Sequence, residues 1–367
     1  MKLVPLHKLK EGMIVADDVA TGEDTLLSIV PKHTTLTSNI IKRLKEYGVK
    51  EVRIIGEDEK KPPLHVEKPA PIIDRALREN AVNNLEEFFS LATLGEEAHT
   101  TTVQVVKQID AVVKDLVASV AGDKNALINI NDLKSYDEYT YHHSLSVAVL
   151  AIAIAQSLGF SKKQLEIVGR CAMMHDIGKT AVPIEIINKP ARLSDGEFAI
   201  IKKHSEEGFS YLNGHEIGDE EMWLGVLFHH EKFDGTGYPK GLKGERIPLL
   251  SRIISVADVY DALTSMRPYR TPMQPQEAAE YIMANIGTFF DYDVVLAFLK
   301  KLELYPVGSF VELSDRRIAV VLDNVHAMRP IVQLVDTREV MDLYADMKFL
   351  SITISRLLSD DEVLSAV

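Results

Sequence analysis

The sequence predicts a mainly helical protein, in which a bundle of seven or more helices lies between a small α/β N-terminal domain and a small β-rich C-terminal extension. Three observations support this fold class. Apolar residues recur at three- and four-residue spacing from about residue 74 to residue 301. A proline-rich stretch precedes that region, and short alternating runs separated by turn residues follow it.

The N-terminal domain, residues 1–57, has mixed character. Short apolar runs at 13–16 and 26–30 predict strands, residues 38–47 predict a helix that Gly48 ends, and 49–55 predict another strand. Residues 58–73 follow as a linker. Four prolines fall within 60–71, a composition that suits an extended segment and disfavours both a helix and a central strand. The first domain boundary is therefore predicted here.

Residues 74–305 form the predicted helical domain, which we expect to be catalytic. Its helices are predicted at 76–91, 101–120, 141–158, 162–175, 195–212, 220–229, 249–265, 274–285 and 291–300. Short connections between so many helices are typical of a bundle. The extension, residues 306–367, begins with a predicted hairpin of 310–313 and 318–322, and 331–335 predicts a third strand.

Composition limits the class of protein. The chain has 367 residues, 46% apolar and 26% charged, as in ordinary globular proteins of two or three compact units. The net charge of −13 disfavours nucleic-acid polymers and anionic membranes as partners. The single cysteine, Cys171, excludes an internal disulfide. No signal sequence is visible, and the longest apolar run, 147–155, is about half a membrane span. We expect a soluble cytoplasmic protein without membrane insertion.

Two segments concentrate ionisable side chains. HHEKFDGTGYP, residues 229–239, joins two adjacent imidazoles and two carboxylates to a Gly-Tyr-Pro turn, and MMHDIGK, residues 173–179, ends an apolar helix with a His-Asp pair. Adjacent imidazoles are costly to bury without partners. His175 and Asp176 are consecutive, about 100° apart on a helix, so both can reach one centre at the helix end.

Further candidates lie on other predicted helices. Asp258 falls on an apolar helix face, where a carboxylate is costly unless it is paired or binds a metal. His143 could instead be an ordinary histidine at the start of a helix, and His204 could be exposed to solvent. If the predicted helix phase is wrong by one residue, His142 is a better candidate ligand than His143. Inward-pointing side chains from several helices of a bundle can nevertheless build a metal site.

Five ordered segments together resemble the HD-GYP subgroup of the HD phosphohydrolases. They are HS at 143–144, HDIGK at 175–179, HSEEG at 204–208, HHEKFDGTGYP at 229–239 and ADVYDALTSMRPYR at 257–270. The resemblance implies an HD-type helical bundle with a binuclear metal centre that hydrolyses cyclic dinucleotides, chiefly cyclic di-GMP.

The resemblance also implies the metal ligands. One metal would be held by His143, His175, Asp176 and Asp258, and the other by Asp176, His204, His229 and His230, with Asp176 bridging. Two divalent ions, iron or manganese, suit this mixed ligand set, with nickel and zinc as alternatives. Some members hold a third metal through a glutamate whose position here is Tyr139, while Glu138 points about 100° away. This difference favours two metals.

The implied mechanism uses both metals to acidify a bridging water, which attacks the phosphodiester in line. Asp176 and Lys179 would be catalytic, with the Lys179 ammonium on a phosphate oxygen. Tyr238, Arg267 and Arg270 would bind substrate, since guanidinium groups suit phosphate. Asp234 would orient a metal-binding histidine. Without the resemblance, Lys179 and both arginines have plainer interpretations as surface residues.

The predicted function is hydrolysis of cyclic di-GMP to pGpG, with further hydrolysis to GMP left open. The alternatives are a preference for cyclic GMP-AMP, an HD hydrolase of another nucleotide, and a sensor or docking module that binds without turnover. The GYP and RPYR segments disfavour hydrolysis of another nucleotide, and the complete ligand set disfavours the sensor. A homodimer through 76–120 and a signalling-protein partner are further predictions.

Overall fold

The computed structural model describes residues 2–10, 13, 15–16, 19–20, 28–30, 34, 36, 38–54, 71–94, 99–122, 127–133, 139–189, 191–266, 271–324, 326, 328–358 and 362–363. These residues form two compact units, one drawn from 1–65 and 360–367 and the other from 66–359. Within the described residues, no helix has the length and apolar character needed to cross a membrane.

The first unit is a small α/β structure whose helix agrees with the prediction, whereas its first strand was not predicted. Val15, within the predicted strand 13–16, forms only an isolated bridge with Ile54. The elements of this unit in chain order are β1 (Lys2–Pro5), β2 (Val19–Ala20), β3 (Ser28–Val30), α1 (Ser38–Glu46) and β4 (Glu51–Ile54). β1 pairs antiparallel with β4, and β2 with β3. Gly48 follows α1 with a φ of 71°, a left-handed conformation that glycine adopts without a Cβ clash. Most of the predicted linker lies outside the described residues.

The second unit contains the helical bundle. Its helices are α2 (Arg75–Ala92), α3 (His99–Ala121), α4 (Tyr139–Ser157), α5 (Lys162–Met174), α6 (Ile184–Ile187), α7 (Asp195–Lys202), α8 (His204–Gly214), α9 (Glu220–Phe228), α10 (Leu249–Thr264), α11 (Pro275–Ala284) and α12 (Tyr292–Leu299). The fold class is confirmed. α4 is the central helix: every residue from Leu145 to Ala155 is buried, because α2, α3, α5, α10 and α12 pack around it.

One predicted helix is two helices in the structure. The segment 195–212 divides at Lys203, where α7 ends and α8 begins. α8 packs closely against the short 3₁₀ helix Ile177–Ala181: a Cβ placed on Gly178 would lie 1.9 Å from the carbonyl oxygen of His204 and 2.4 Å from the amide nitrogen of Gly208. Lys203, which lies between the two helices, keeps a helical backbone conformation with φ −68° and ψ −17°.

A five-stranded antiparallel sheet follows the bundle. Its strands are β5 (Phe310–Leu313), β6 (Ile318–Asp323), β7 (Ile331–Leu334), β8 (Val340–Asp342) and β9 (Ile354–Leu358), in the order β8-β7-β6-β5-β9. The predicted hairpin and third strand are β5, β6 and β7. Val311, Leu313 and Ala319 belong to the same hydrophobic core as the bundle helices. The sheet and bundle therefore form one unit, and the domain boundary at residue 306 stays a prediction.

A buried ion pair joins α10 to the start of α12. Arg252 contacts the Asp291 carboxylate, which also accepts hydrogen bonds from the amides of Asp293 (2.8 Å) and Val294 (3.1 Å). One carboxylate therefore caps α12 and neutralises a guanidinium that is mostly shielded from water.

We expect Asp291→Ala to lower the free energy of unfolding by about 3 kcal/mol, because the variant loses a helix cap and leaves Arg252 without its partner. Urea denaturation followed by circular dichroism measures the change. Asp293→Ala is the control, since Asp293 is exposed in the same helical turn and should change the free energy by less than about 1 kcal/mol. Equal effects from both substitutions would contradict the assignment.

Candidate metal centre

Five helices bring seven predicted ligands together at one end of the bundle. His143 lies in the first turns of α4, His175 and Asp176 follow α5, His204 begins α8, His229 and His230 follow α9, and Asp258 lies within α10. All are buried except His230, which is half-buried. Most of these side chains stand where a helix begins or ends, so they converge without interrupting a helix.

Asp176 lies between the histidines. Its Oδ2 atom is 3.3 Å from the Nε2 atom of His175 and 3.8 Å from that of His143. Its Oδ1 atom is 3.4 Å from the Nε2 atom of His204. The two oxygens of one carboxylate therefore face histidines of both predicted ligand sets, which is the arrangement expected of a bridging ligand.

The possible ligand atoms fall into groups that match the predicted division. His143, His175 and Asp258 form one group and His204, His229 and His230 another, and within each group the ligand atoms lie within 4.8 Å of one another. A third group, His175, Asp176 and His229, connects the first two. The histidine of α4 that faces Asp258 is His143, with its Nε2 atom 3.2 Å from Oδ1, and not the alternative His142.

Backbone carbonyls fix the orientation of three rings. The Nδ1–H groups of His175, His204 and His229 each donate to the carbonyl oxygen three residues earlier, at 2.6 to 2.7 Å. Each Nε2 atom is then a lone-pair donor that faces the centre. The Nε2 atom of His204 lies 3.3 Å from that of His229 and 3.2 Å from that of His230. Facing lone pairs repel unless a cation lies among them, so the residues fit a metal ion.

The protonation states also suit metal ligands. Burial lowers the pKa of His204, lowers that of His229 well below its usual value, and lowers that of His230 to about 3. These imidazoles are neutral near pH 7, the form that binds metals. Burial disfavours the charged form of Asp176, but His175 and Lys179 hold its pKa well below the usual value. Asp176 is therefore a carboxylate.

His143 differs because it contacts two carboxylates. Burial opposes its protonation, but hydrogen bonds with Asp258 and Asp261 raise its pKa to about 9. The Oδ2 atom of Asp261 lies 2.7 Å from the Nδ1 atom of His143 and accepts from the Ser265 hydroxyl at 3.2 Å. Asp261 was not predicted, although it lies one turn after Asp258 on an apolar helix, a spacing that places both carboxylates on one face.

Asp234 does not take the orienting role that the sequence predicts for it. Its carboxylate accepts hydrogen bonds from the backbone amide (2.9 Å) and hydroxyl (2.7 Å) of Thr236, which close a local turn. In the structure, Asp261 and the backbone carbonyls orient the rings instead. Asp234 is therefore part of the turn that precedes Gly-Tyr-Pro.

The buried side chain of Glu231 is hydrogen-bonded to the backbone that follows the Gly-Tyr-Pro turn. Its carboxylate accepts from the amides of Lys240 (2.7 Å) and Leu242 (3.1 Å). Gly237 passes so close to the preceding backbone that a Cβ there would lie 2.2 Å from the amide nitrogen of Lys232. The role of Glu231 as an anchor of this loop was not predicted. The available signal was its position directly after His229 and His230, which are both candidate ligands.

The loop places Tyr238 against the centre. The Tyr238 ring lies 4.8 Å from the His230 ring, centroid to centroid, and the Tyr238-Pro239 peptide bond is cis. Tyr238 helps to line a cavity of about 340 Å³, within the size range of small-molecule sites. The other lining residues are Asp176, Lys179, Ile201, His204, His230, Asp258, Val259, Ala262 and Leu263.

Two sets of predicted residues cannot be compared with the structure. Arg267 and Arg270 lie outside the described residues, and so does Glu138. Tyr139 begins α4, but its side chain is outside the described part of the chain. The substrate-binding role of the arginines and the exclusion of a third metal stay predictions.

The helical bundle and its buried histidine-aspartate centre define an HD-type helical domain, and comparison with known proteins agrees. Residues 125–294 match the family model described as HD domain.

A cyclic di-GMP phosphodiesterase of Pseudomonas aeruginosa is 42% identical over 212 residues, which are 58% of this chain and 51% of that protein. The corresponding match to a cyclic di-GMP phosphodiesterase of Thermotoga maritima is 39% over 175 residues, 47% of each chain. A 3′3′-cGAMP-specific phosphodiesterase of Vibrio cholerae is 40% identical over 164 residues, 44% of this chain and 37% of that protein.

A solved structure shares the fold. The structure described as an HDG"Y"P protein from Bdellovibrio bacteriovorus superposes with a TM-score of 0.51 at 20% identity, covering 81% of this chain and 97% of that one. The chain spans about half the length, or less, of the curated relatives given above. Residues 125–294 are therefore similar in sequence to the HD domain of these proteins.

We expect Glu231→Ala to release the Gly-Tyr-Pro loop. Removing the buried carboxylate leaves two backbone amides without their acceptor, at a cost of about 3 kcal/mol. Hydrogen–deuterium exchange should then show faster exchange at Lys240 and Leu242. Asp234→Ala is the control, because its carboxylate bonds only to the exposed Thr236 among the contacts described above. Unchanged protection at Lys240 and Leu242 would show that Glu231 does not anchor the loop.

Proposed function

We propose that this chain is a metal-dependent phosphodiesterase that hydrolyses cyclic di-GMP to pGpG, with further hydrolysis to GMP left open. The observation that carries the proposal is the two histidine-containing ligand groups that meet at Asp176 beside a cavity lined by Lys179. The names of the relatives in Pseudomonas aeruginosa and Thermotoga maritima support this substrate.

We propose two divalent ions, iron or manganese, as the cofactors. His143, His175, Asp176 and Asp258 would hold one ion, and Asp176, His204, His229 and His230 the other. Mixed imidazole and carboxylate donors suit these metals. When bound, two such ions supply a nucleophile by lowering the pKa of water and stabilise the charge of the phosphodiester.

The side chains around the cavity would bind and orient the substrate. The Lys179 ammonium donates to Asp176 and is one-third exposed, so it can also contact a non-bridging phosphate oxygen. Burial raises the pKa of the Tyr238 phenol, which stays protonated and can donate a hydrogen bond. Val259, Ala262 and Leu263 line the cavity with apolar surface that excludes water from the bound sugar and base. Arg267 and Arg270 are proposed as further phosphate contacts.

A second candidate function is hydrolysis of cyclic GMP-AMP. The 40% identity to a Vibrio cholerae protein named for that substrate favours it. The ammonium of Lys179 at the cavity suits a phosphate group, which both cyclic dinucleotides carry. The ratio of kcat/KM for cyclic di-GMP to that for cyclic GMP-AMP distinguishes the two. Binding without turnover by metal-loaded protein would instead support the sensor alternative.

The cellular setting is also proposed. A cyclic dinucleotide substrate and a single buried cysteine suit the cytoplasm. A homodimer through residues 76–120 and a signalling-protein partner for the N-terminal unit remain predictions.

We expect His204→Ala to lose one equivalent of metal and at least about 100-fold in kcat for cyclic di-GMP, because the second ligand set loses a donor that also faces Asp176. Elemental analysis of anaerobically purified protein and a turnover assay measure both changes, while circular dichroism checks the fold. His215→Ala is the control, since this histidine ends the same helix but belongs to neither ligand group. Full metal content in His204→Ala would refute the ligand assignment.

We expect Asp261→Asn to weaken metal binding by about 10- to 100-fold, because the amide no longer supplies the charge that orients His143. Competition with a chelator measures the affinity independently of turnover. Ser265→Ala removes only a hydroxyl bonded to Asp261 and should produce a much smaller change. Identical metal affinity in Asp261→Asn and the parent protein would exclude this role.

A further inference from the structure

We propose that Lys202 binds the second phosphate group of the cyclic dinucleotide, the one that is not being cleaved. This inference rests on the proposed function and adds a substrate contact outside the metal centre. Lys202 is the last residue of α7, adjacent to the cavity-lining Ile201 and two residues before His204. Lys202 is partly exposed, so it lies between the cavity wall and the outer surface of the protein.

Two aromatic rings hold the Lys202 ammonium at the edge of the cavity. Its Nζ atom lies 4.7 Å from the centroid of the Phe198 ring and 5.4 Å from that of the Tyr238 ring. Such cation–π contacts are stabilising and reduce the freedom of a flexible side chain. Because Tyr238 also lines the cavity and packs on His230, the ammonium is directed toward the substrate space.

The charge of Lys202 is not neutralised by a neighbour. Two acidic residues that lie nearby in sequence have other partners: Glu197 binds Lys189 at 2.7 Å, and Glu206 pairs with Lys240 at 3.6 Å. Within the described part of the chain, no carboxylate oxygen lies within 4.0 Å of the Lys202 Nζ atom. In a protein with a net charge of −13, such a cation beside a cavity is a local site for an anion.

The chemistry of the substrate suggests which anion Lys202 binds. A cyclic dinucleotide carries two phosphodiesters in one small ring, so placing one at the metal centre brings the other close to it. Lys179 is fixed at the centre by Asp176 and therefore serves the phosphate that is cleaved. Lys202 comes from a different helix, and its ammonium lies beside Tyr238, which lines the same cavity. We therefore assign Lys202 to the remaining phosphate.

The experiment compares two substrates in the metal-loaded, full-length protein. Lys202→Met removes the charge and keeps an unbranched apolar stem against Phe198. We expect KM for cyclic di-GMP to rise about tenfold with kcat changed less than twofold, and Lys202→Arg to restore most of the loss. Bis(4-nitrophenyl) phosphate has a single phosphate, so its kcat/KM should be the same in Lys202→Met and the parent. Lys203→Met is the matched control, since this neighbouring lysine is exposed.

Several outcomes would overturn the inference: an unchanged KM for cyclic di-GMP, an equal loss on both substrates, or the same loss in Lys203→Met. If the parent protein hydrolyses neither substrate, the proposed function fails, and equilibrium binding of cyclic di-GMP then tests Lys202 separately. Tenfold weaker binding in Lys202→Met, with unchanged binding in Lys203→Met, would support the contact even without turnover. Equal binding in both variants, or none in the parent, would reject it.

Discussion

The burial of seven imidazole and carboxylate groups in one place is the constraint on which the rest of the structure depends. Buried ionisable groups must be partnered, and the chain satisfies them in different ways. Backbone carbonyls accept hydrogen bonds from the Nδ1–H groups of three histidines, and the Asp261 carboxylate contacts the Nδ1 atom of His143. The Nε2 atoms of these rings face the centre, where a cation would bind. The helix ends that meet here, and the backbone contact at Gly178 that positions α8, follow from this requirement.

The two halves of the centre differ in charge. Around His143, two carboxylates favour a protonated ring, whereas His204, His229 and His230 lie together with their pKa values lowered by burial. Asp176 belongs to both environments because each of its oxygens faces a different histidine group. An ion in the first half would therefore meet more negative charge than an ion in the second, so the two positions need not have equal affinity.

Much of the helical fold and all seven proposed ligands could be predicted from the sequence, because apolar periodicity and short ordered motifs are local signals. The features that were not predicted depend on contacts between distant segments. The close contact between Gly178 and α8 joins two segments that are distant along the chain, and the role of Glu231 depends on amides that follow it around a loop. The sequence predicted that Asp234 would orient a metal-binding histidine, but its carboxylate accepts a hydrogen bond from the Thr236 amide in its own turn. β8 has only three residues, and the apolar residues of β9 do not alternate with polar ones, so neither strand forms a recognisable pattern.

Lys203 is the single residue that separates α7 from α8. On one side of it α7 ends with Lys202, whose ammonium lies against two aromatic rings, and on the other side α8 begins with the imidazole of His204. The close approach of Gly178 to His204 and Gly208 joins α8 to the 3₁₀ helix that follows Asp176. A substitution in α7 therefore changes residues at the edge of the cavity without replacing any proposed ligand, whereas a substitution at the first residue of α8 changes the centre itself.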